Sequence, residues 1–128
     1  MNDELDPLAW IAKAEGDYEM ARLALRRKEP LTDSSSFHAQ QCAEKYLKAM
    51  LVARGKAFPK THDLILLNNL CAQTGIFVGI DPKQLNTLSD SAVRSRYPGA
   101  AQTVDEARDA LEIAKAVRKF ARKYLNVK

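Results

Sequence analysis

Two short stretches of this 128-residue chain gather side chains that could act on a ligand. The run FHAQQCAEKYLKAM sets His38, Gln41, Glu44, Lys45 and Lys48 at intervals of three and four, the spacing that brings side chains together along one side of a helix. An imidazole in such a row is a candidate general acid or base, and two ammonium groups beside it suit a phosphate or an acidic partner. The same row has a plain structural use. Glu44 and Lys48 at i,i+4 form an oriented surface pair worth roughly 0.3 kcal/mol. The second stretch is Arg94-Ser95-Arg96-Tyr97-Pro98-Gly99. Two guanidinium forks beside a phenol ring fit a phosphate and a stacked base, while as structure alone the residues end a helix at Pro98. Between the stretches lies Lys60-Thr61-His62-Asp63, with a further imidazole and two possible helix caps, Thr61 and Asp63.

Other chemistries lack their residues. The five glycines, at 16, 55, 75, 79 and 99, are too dispersed to build a phosphate-cradling loop. His38 and His62 belong to no His-Glu-x-x-His pattern, so no metal site is expected. No carboxylate pair singles itself out for acid-base work, and no cofactor is expected. Cys42 and Cys71 lie inside apolar helical patterns without a Cys-x-x-Cys pair, which predicts buried free thiols.

The elements that must position these groups read as helices. Trp10, Ala14, Tyr18, Ala21 and Leu25 recur with the period of one helix face, predicting a first helix over 7–28 that ends before Pro30. Asp33-Ser34-Ser35-Ser36 offers several N-caps for a second helix from about Ser35 to Arg54, apolar over much of its circumference and therefore central. A third helix is expected from Thr61 or Asp63 to Gln73, and a fourth over Pro82–Asp90 after the Asp81-Pro82 start signal. The Thr103/Glu106 capping box opens a fifth that runs to about Leu125, with Val104, Ala107, Leu111, Ala114, Val117 or Arg118, and Ala121 inward. Its second half carries Lys115, Arg118, Lys119, Arg122 and Lys123, a stripe suited to solvent or to an anionic partner.

Size and composition fit one soluble domain spanning 1–128. A mass of 14.3 kDa implies that about two thirds of the extended-chain surface is buried on folding. The composition is 46% hydrophobic and 28% charged, which opposes disorder, and the net charge of +4 is too mild to diagnose nucleic-acid binding by itself. No apolar run is long enough for a bilayer and the start, Met1-Asn2-Asp3-Glu4, is acidic, so a cytoplasmic location is expected.

Phe37-His38-Ala39-Gln40-Gln41-Cys42-Ala43-Glu44-Lys45, followed by Thr61-His62-Asp63-Leu64 and then by Arg96-Tyr97-Pro98, resembles the prokaryotic HEPN family over about 8–125. The resemblance implies an all-α, up-and-down antiparallel bundle of about five helices, commonly dimeric. It further implies a nucleotide binder, a metal-independent ribonuclease, or one half of a toxin–antitoxin pair with a minimal nucleotidyltransferase. The nuclease branch carries an arginine, four to six residues, then histidine. Here the positions that would hold that arginine are Leu31, Thr32 and Asp33 before His38, and Gly55, Lys56 and Ala57 before His62. The expected function is accordingly a HEPN domain that binds a nucleotide or RNA phosphate, or a nucleotidyltransferase partner. In that reading Lys45, Lys48, Arg94 and Arg96 meet phosphate, Tyr97 stacks, and Gln41, Glu44, His62 and Asp63 organise the pocket. A ribonuclease toxin using His38 or His62 is the enzymatic alternative, and a structural helical dimerisation module is the third.

Overall fold

Four of the five helices start where a side chain takes over an orphan backbone N–H. The structure, a computed structural model, describes residues 2–128. Asp6 accepts from Leu8 N–H at the head of α1 (Pro7–Arg26), and Asp63 accepts from Ile65 and Leu66 at the head of α3 (Leu64–Gln73). Asp81 and Thr103 form capping boxes with Gln84 and Glu106 at the heads of α4 (Pro82–Arg94) and α5 (Val104–Tyr124). The exception is α2 (Thr32–Ala53), which has no side-chain cap. A single 3₁₀ turn, Asp3–Leu5, precedes α1, and no strand occurs among the described residues.

The chain is all-α. Cross-helix contacts fix its directions: Ser35 Oγ donates to Ala21 O at 2.8 Å, and Asp17 meets both His38 and Lys45, so α1 runs against α2. Asp33 near the start of α2 accepts from Gln102 N–H just ahead of α5, and Arg54 at the other end donates to Tyr124, so α2 and α5 run together. Arg94 at the end of α4 reaches Glu106 at the start of α5, which sets α4 against it. The apolar core, including Tyr46, Leu47, Met50, Leu51, Leu67, Leu88 and Val117, is assembled around α2. Gly55, at φ +68°, turns the chain out of α2 and lets Lys56 N–H bond back to Leu51 O at 2.9 Å. No helix among the described residues is long and apolar enough to cross a membrane.

Three expectations shift. Helix α2 begins at Thr32 rather than Ser35, because Leu31 N–H already bonds Ala24 O and Asp33 is engaged by Gln102, leaving Ser35 and Ser36 buried inside the helix. Helix α4 continues past Asp90 to Arg94, since Ser91 and Ala92 extend its buried face beyond Leu88. Val104, expected inward, is exposed, and the inner face of α5 runs through Ala107, Ala110, Ile113, Ala114, Val117 and Ala121. Cys42 and Cys71 are buried free thiols. Burial pushes Cys71 up to about 11; for Cys42 burial acts first and the nearby Glu15 and Asp17 carboxylates add to it, so the thiol is held far above its ordinary value.

Candidate functional site

One side of α2 is left partly open between α1 and the end of α4. Phe37, His38, Gln41 and Lys45 are partly exposed there, and at 100° per residue they occupy an arc of about 100°. The residues around this face divide into three groups, each built by a different neighbour.

Helix α1 builds the first. Asp17 sits on the inner face of α1 between Ala14 and Ala21 and is buried, yet its two oxygens are both taken. His38 Nδ1 lies 2.9 Å from Oδ1, and Lys45 Nζ lies 2.5 Å from Oδ2. A carboxylate only accepts, so Nδ1 carries the proton and the other ring nitrogen, Nε2, is the acceptor of the neutral imidazole. Sequence reasoning found His38 without an orienting partner. The signal for Asp17 was present, a carboxylate at i+3 from one small core residue and i−4 from the next, where an unpaired charge is costly.

The turn before α3 builds the second. Glu44 is buried, and its carboxylate accepts from Lys48 at 3.1 Å, His62 Nδ1 at 2.9 Å and Gln40 at 3.3 Å. The Glu44 and Lys48 side chains are 3% and 8% exposed, so this is a buried pair rather than the surface pair that the spacing suggests. Trp10 and Phe58 flank the ammonium at 5.5 and 5.7 Å from their ring centroids. Gln40 also donates to His62 O at 3.2 Å, which ties the turn to α2, and Asp63 is spent on capping α3. Gln41 donates to Gln40 Oε1 at 2.7 Å and so links the first group to the second.

The loop after α4 builds the third. The Arg96 guanidinium lies 5.1 Å from the centroid of Phe37, and the Phe37 ring meets His38 edge-on at 5.4 Å. Arg96 has no acidic partner among the described residues, and Tyr97 beside it is 69% exposed. Arg94 points elsewhere, to Glu106 at 3.0 Å. The structure therefore joins Arg96, Phe37 and His38 at one end of the face and sets Lys48 apart. Phe37 and Lys48 are eleven residues apart in α2, roughly 16 Å of rise, on the same side of the helix. The predicted cations do not close on a single recess.

A further charged cluster escaped the sequence reading. Arg118 grips Glu15 through Nε at 2.7 Å and Nη2 at 2.8 Å while lying 4.4 Å over Tyr18. Tyr46 donates to Glu15, and Arg122 donates to Tyr46 at 3.1 Å. Burial alone would raise the Glu15 carboxyl, but hydrogen bonds from Arg118 and Tyr46 and the two guanidinium charges outweigh it and hold it below the usual carboxylate range. Burial, then the Glu15 contact, pushes Tyr46 well above the ordinary phenol value. Two cations of the basic stripe on α5 thus hold the bundle together instead of facing solvent. Among the described residues no three His, Cys, Asp or Glu side chains converge as a metal site would require.

This five-helix architecture coincides with a family match. The HEPN domain model matches residues 8–124, nearly the whole chain, and the chain belongs to that family. No curated protein and no solved structure matches it.

Proposed function

We propose that this HEPN domain binds a nucleotide or RNA phosphate at the Arg96 end of the open α2 face. One observation carries the reading: an arginine without a carboxylate lies over an aromatic ring, next to an exposed tyrosine. Phe37 restrains the guanidinium without neutralising it, which leaves its fork for a phosphate, and the Tyr97 ring offers a face to a base. His38, Gln41 and Lys45 continue the polar surface along α2. Arg94 acts indirectly here by tying the loop to α5 through Glu106. Lys48, Glu44, His62 and Asp63 set the position of α2 against the turn before α3. A minimal nucleotidyltransferase partner, membership of a toxin–antitoxin pair, a homodimeric state and a cytoplasmic location complete the proposal. Fluorescence anisotropy with labelled single-stranded RNA and with labelled AMP tests the binding. Arg96→Ala weakens both ligands about tenfold or more at unchanged melting temperature, and unchanged affinities would refute the site.

The Asp17–His38 pair favours a second reading, metal-independent RNA cleavage. Asp17 fixes the imidazole so that Nε2 is free to take a proton, and Arg96 stands across Phe37 to stabilise charge on the phosphate. Cleavage of RNA in the presence of a chelator, lost in His38→Ala and kept in His62→Ala, would establish it. Intact RNA after prolonged incubation would leave binding as the function.

A further inference from the structure

The end of the bundle where α1 and α4 finish and α2 and α5 begin carries a second set of arginines. A cavity of about 290 Å³ between α1 and α5 is lined by Arg22, Arg26 and Arg108 over the apolar side chains of Leu25, Pro30 and Leu111. Its cations are weakly neutralised. Arg26 has no acidic partner among the described residues, Arg108 approaches Asp105 only to 3.8 Å, and Arg22 meets Glu19 at 3.0 Å with both side chains well exposed. Arg22, Arg26 and Arg108 line one hollow, Arg22 with its guanidinium 5.7 Å from the Tyr18 ring centroid, and the planar fork of each matches phosphate oxygens. The apolar floor accommodates the sugar and base that a phosphate of a nucleic acid carries.

This hollow and the Arg96 platform lie at the same end of the molecule. Pro30 borders the arginine cavity and also a neighbouring one lined by Leu31, Thr32, Asp33 and Ser34. Asp33 in turn accepts from Gln102 at 2.9 Å, in the loop that begins with Arg96 and Tyr97. The two places share no residue: Arg96 packs on Phe37, about 6 Å of rise beyond Asp33 in α2, whereas the cavity is lined from α1, Pro30 and α5.

From this arrangement we infer that Arg22, Arg26 and Arg108 form a second phosphate subsite, and that the ligand is a single strand of RNA laid across this end of the bundle rather than a mononucleotide. The inference rests on the proposed Arg96 site and adds to it the length and path of the ligand. Phosphates in series supply what a mononucleotide lacks, a second anion at a fixed distance from the first, so affinity rises with strand length until both subsites are filled.

The test compares two probes, labelled AMP and a labelled single-stranded RNA of about twelve nucleotides. The quantity read is the ratio of their affinities, together with the dependence of strand binding on salt. Arg26→Gln/Arg108→Gln lowers the ratio about tenfold and reduces the salt slope by about 1.4, the loss of two phosphate contacts on a single strand. Arg26→Lys/Arg108→Lys keeps the slope, since charge is retained, while losing the fork. Circular dichroism and melting temperature confirm the fold of each variant. A ratio and slope unchanged in the Gln variant would overturn the second subsite while leaving the Arg96 site standing, provided Arg96→Ala weakens both probes. Indifference of both probes to Arg96→Ala would overturn the two together.

Discussion

The two ends of the α2 face use cations in opposite ways. At the Lys48 end the ammonium is buried, bonded to Glu44 and enclosed by Trp10 and Phe58, and the same carboxylate also holds His62. At the Arg96 end the guanidinium is exposed, lies on Phe37 and has no carboxylate. A buried cation with its counter-charge is a structural element whose removal leaves an uncompensated charge. A restrained cation without one keeps its electrostatic capacity for something outside the chain. The Arg118–Glu15–Tyr46 cluster stands between the two, its cation matched by a carboxylate but only partly buried.

Stability and binding should separate along this division. The largest effect is expected for Glu44→Ala, which strands Lys48 in a nearly dry site and costs about 3–5 kcal/mol in urea unfolding. Glu44→Leu/Lys48→Met removes both charges and recovers most of that loss. Equal stability of Glu44→Ala and wild type would show that the pair does not organise this end. Arg96→Ala is expected to change unfolding by less than about 0.5 kcal/mol yet weaken RNA by about 1–3 kcal/mol, the combined scale of a phosphate fork and a stacking neighbour. A large loss of stability in that variant would move Arg96 into the structural class.

The smallest effect concerns pH. The Glu15 carboxyl is held below its ordinary value in the folded chain, so its stabilising contribution is present above the unfolded carboxylate value and disappears as pH falls through the folded one. Because the pair with Arg118 is substantially solvated, solvent screening limits the contribution to below about 1 kcal/mol. Glu15→Gln should therefore flatten the acid side of the stability profile slightly and leave the alkaline side alone. An unchanged acid limb would place the loss of stability on other carboxylates.

Much of the fold was legible because local signals agreed. Asp63, Asp81-Pro82 and the Thr103/Glu106 box mark starts that the structure keeps, and α2, apolar over much of its circumference, reads correctly as a central helix. The start of α2 was misplaced because its cap is replaced by long-range bonds from Leu31 and Asp33, which no local pattern records. The same limit governed the site. Spacing aligned His38, Gln41, Glu44, Lys45 and Lys48 on one helix, but the partners that divide them, Asp17, His62 and Phe58, come from other elements. Phe37 was visible only as an apolar residue, since its service to Arg96 depends on where the loop after α4 returns.

The division of the α2 face can be read residue by residue in a titration of isotope-labelled protein with single-stranded RNA, followed by NMR. Trp10 reports on the Lys48 end through its indole N–H, which donates to Glu4 O at 2.9 Å, and the Arg96 Nε–H with the Phe37 and Tyr97 rings reports on the other. The account predicts saturable shifts of the Arg96, Phe37 and Tyr97 signals with the Trp10 indole unmoved. Shifts centred on Trp10, with Arg96 silent, would contradict it.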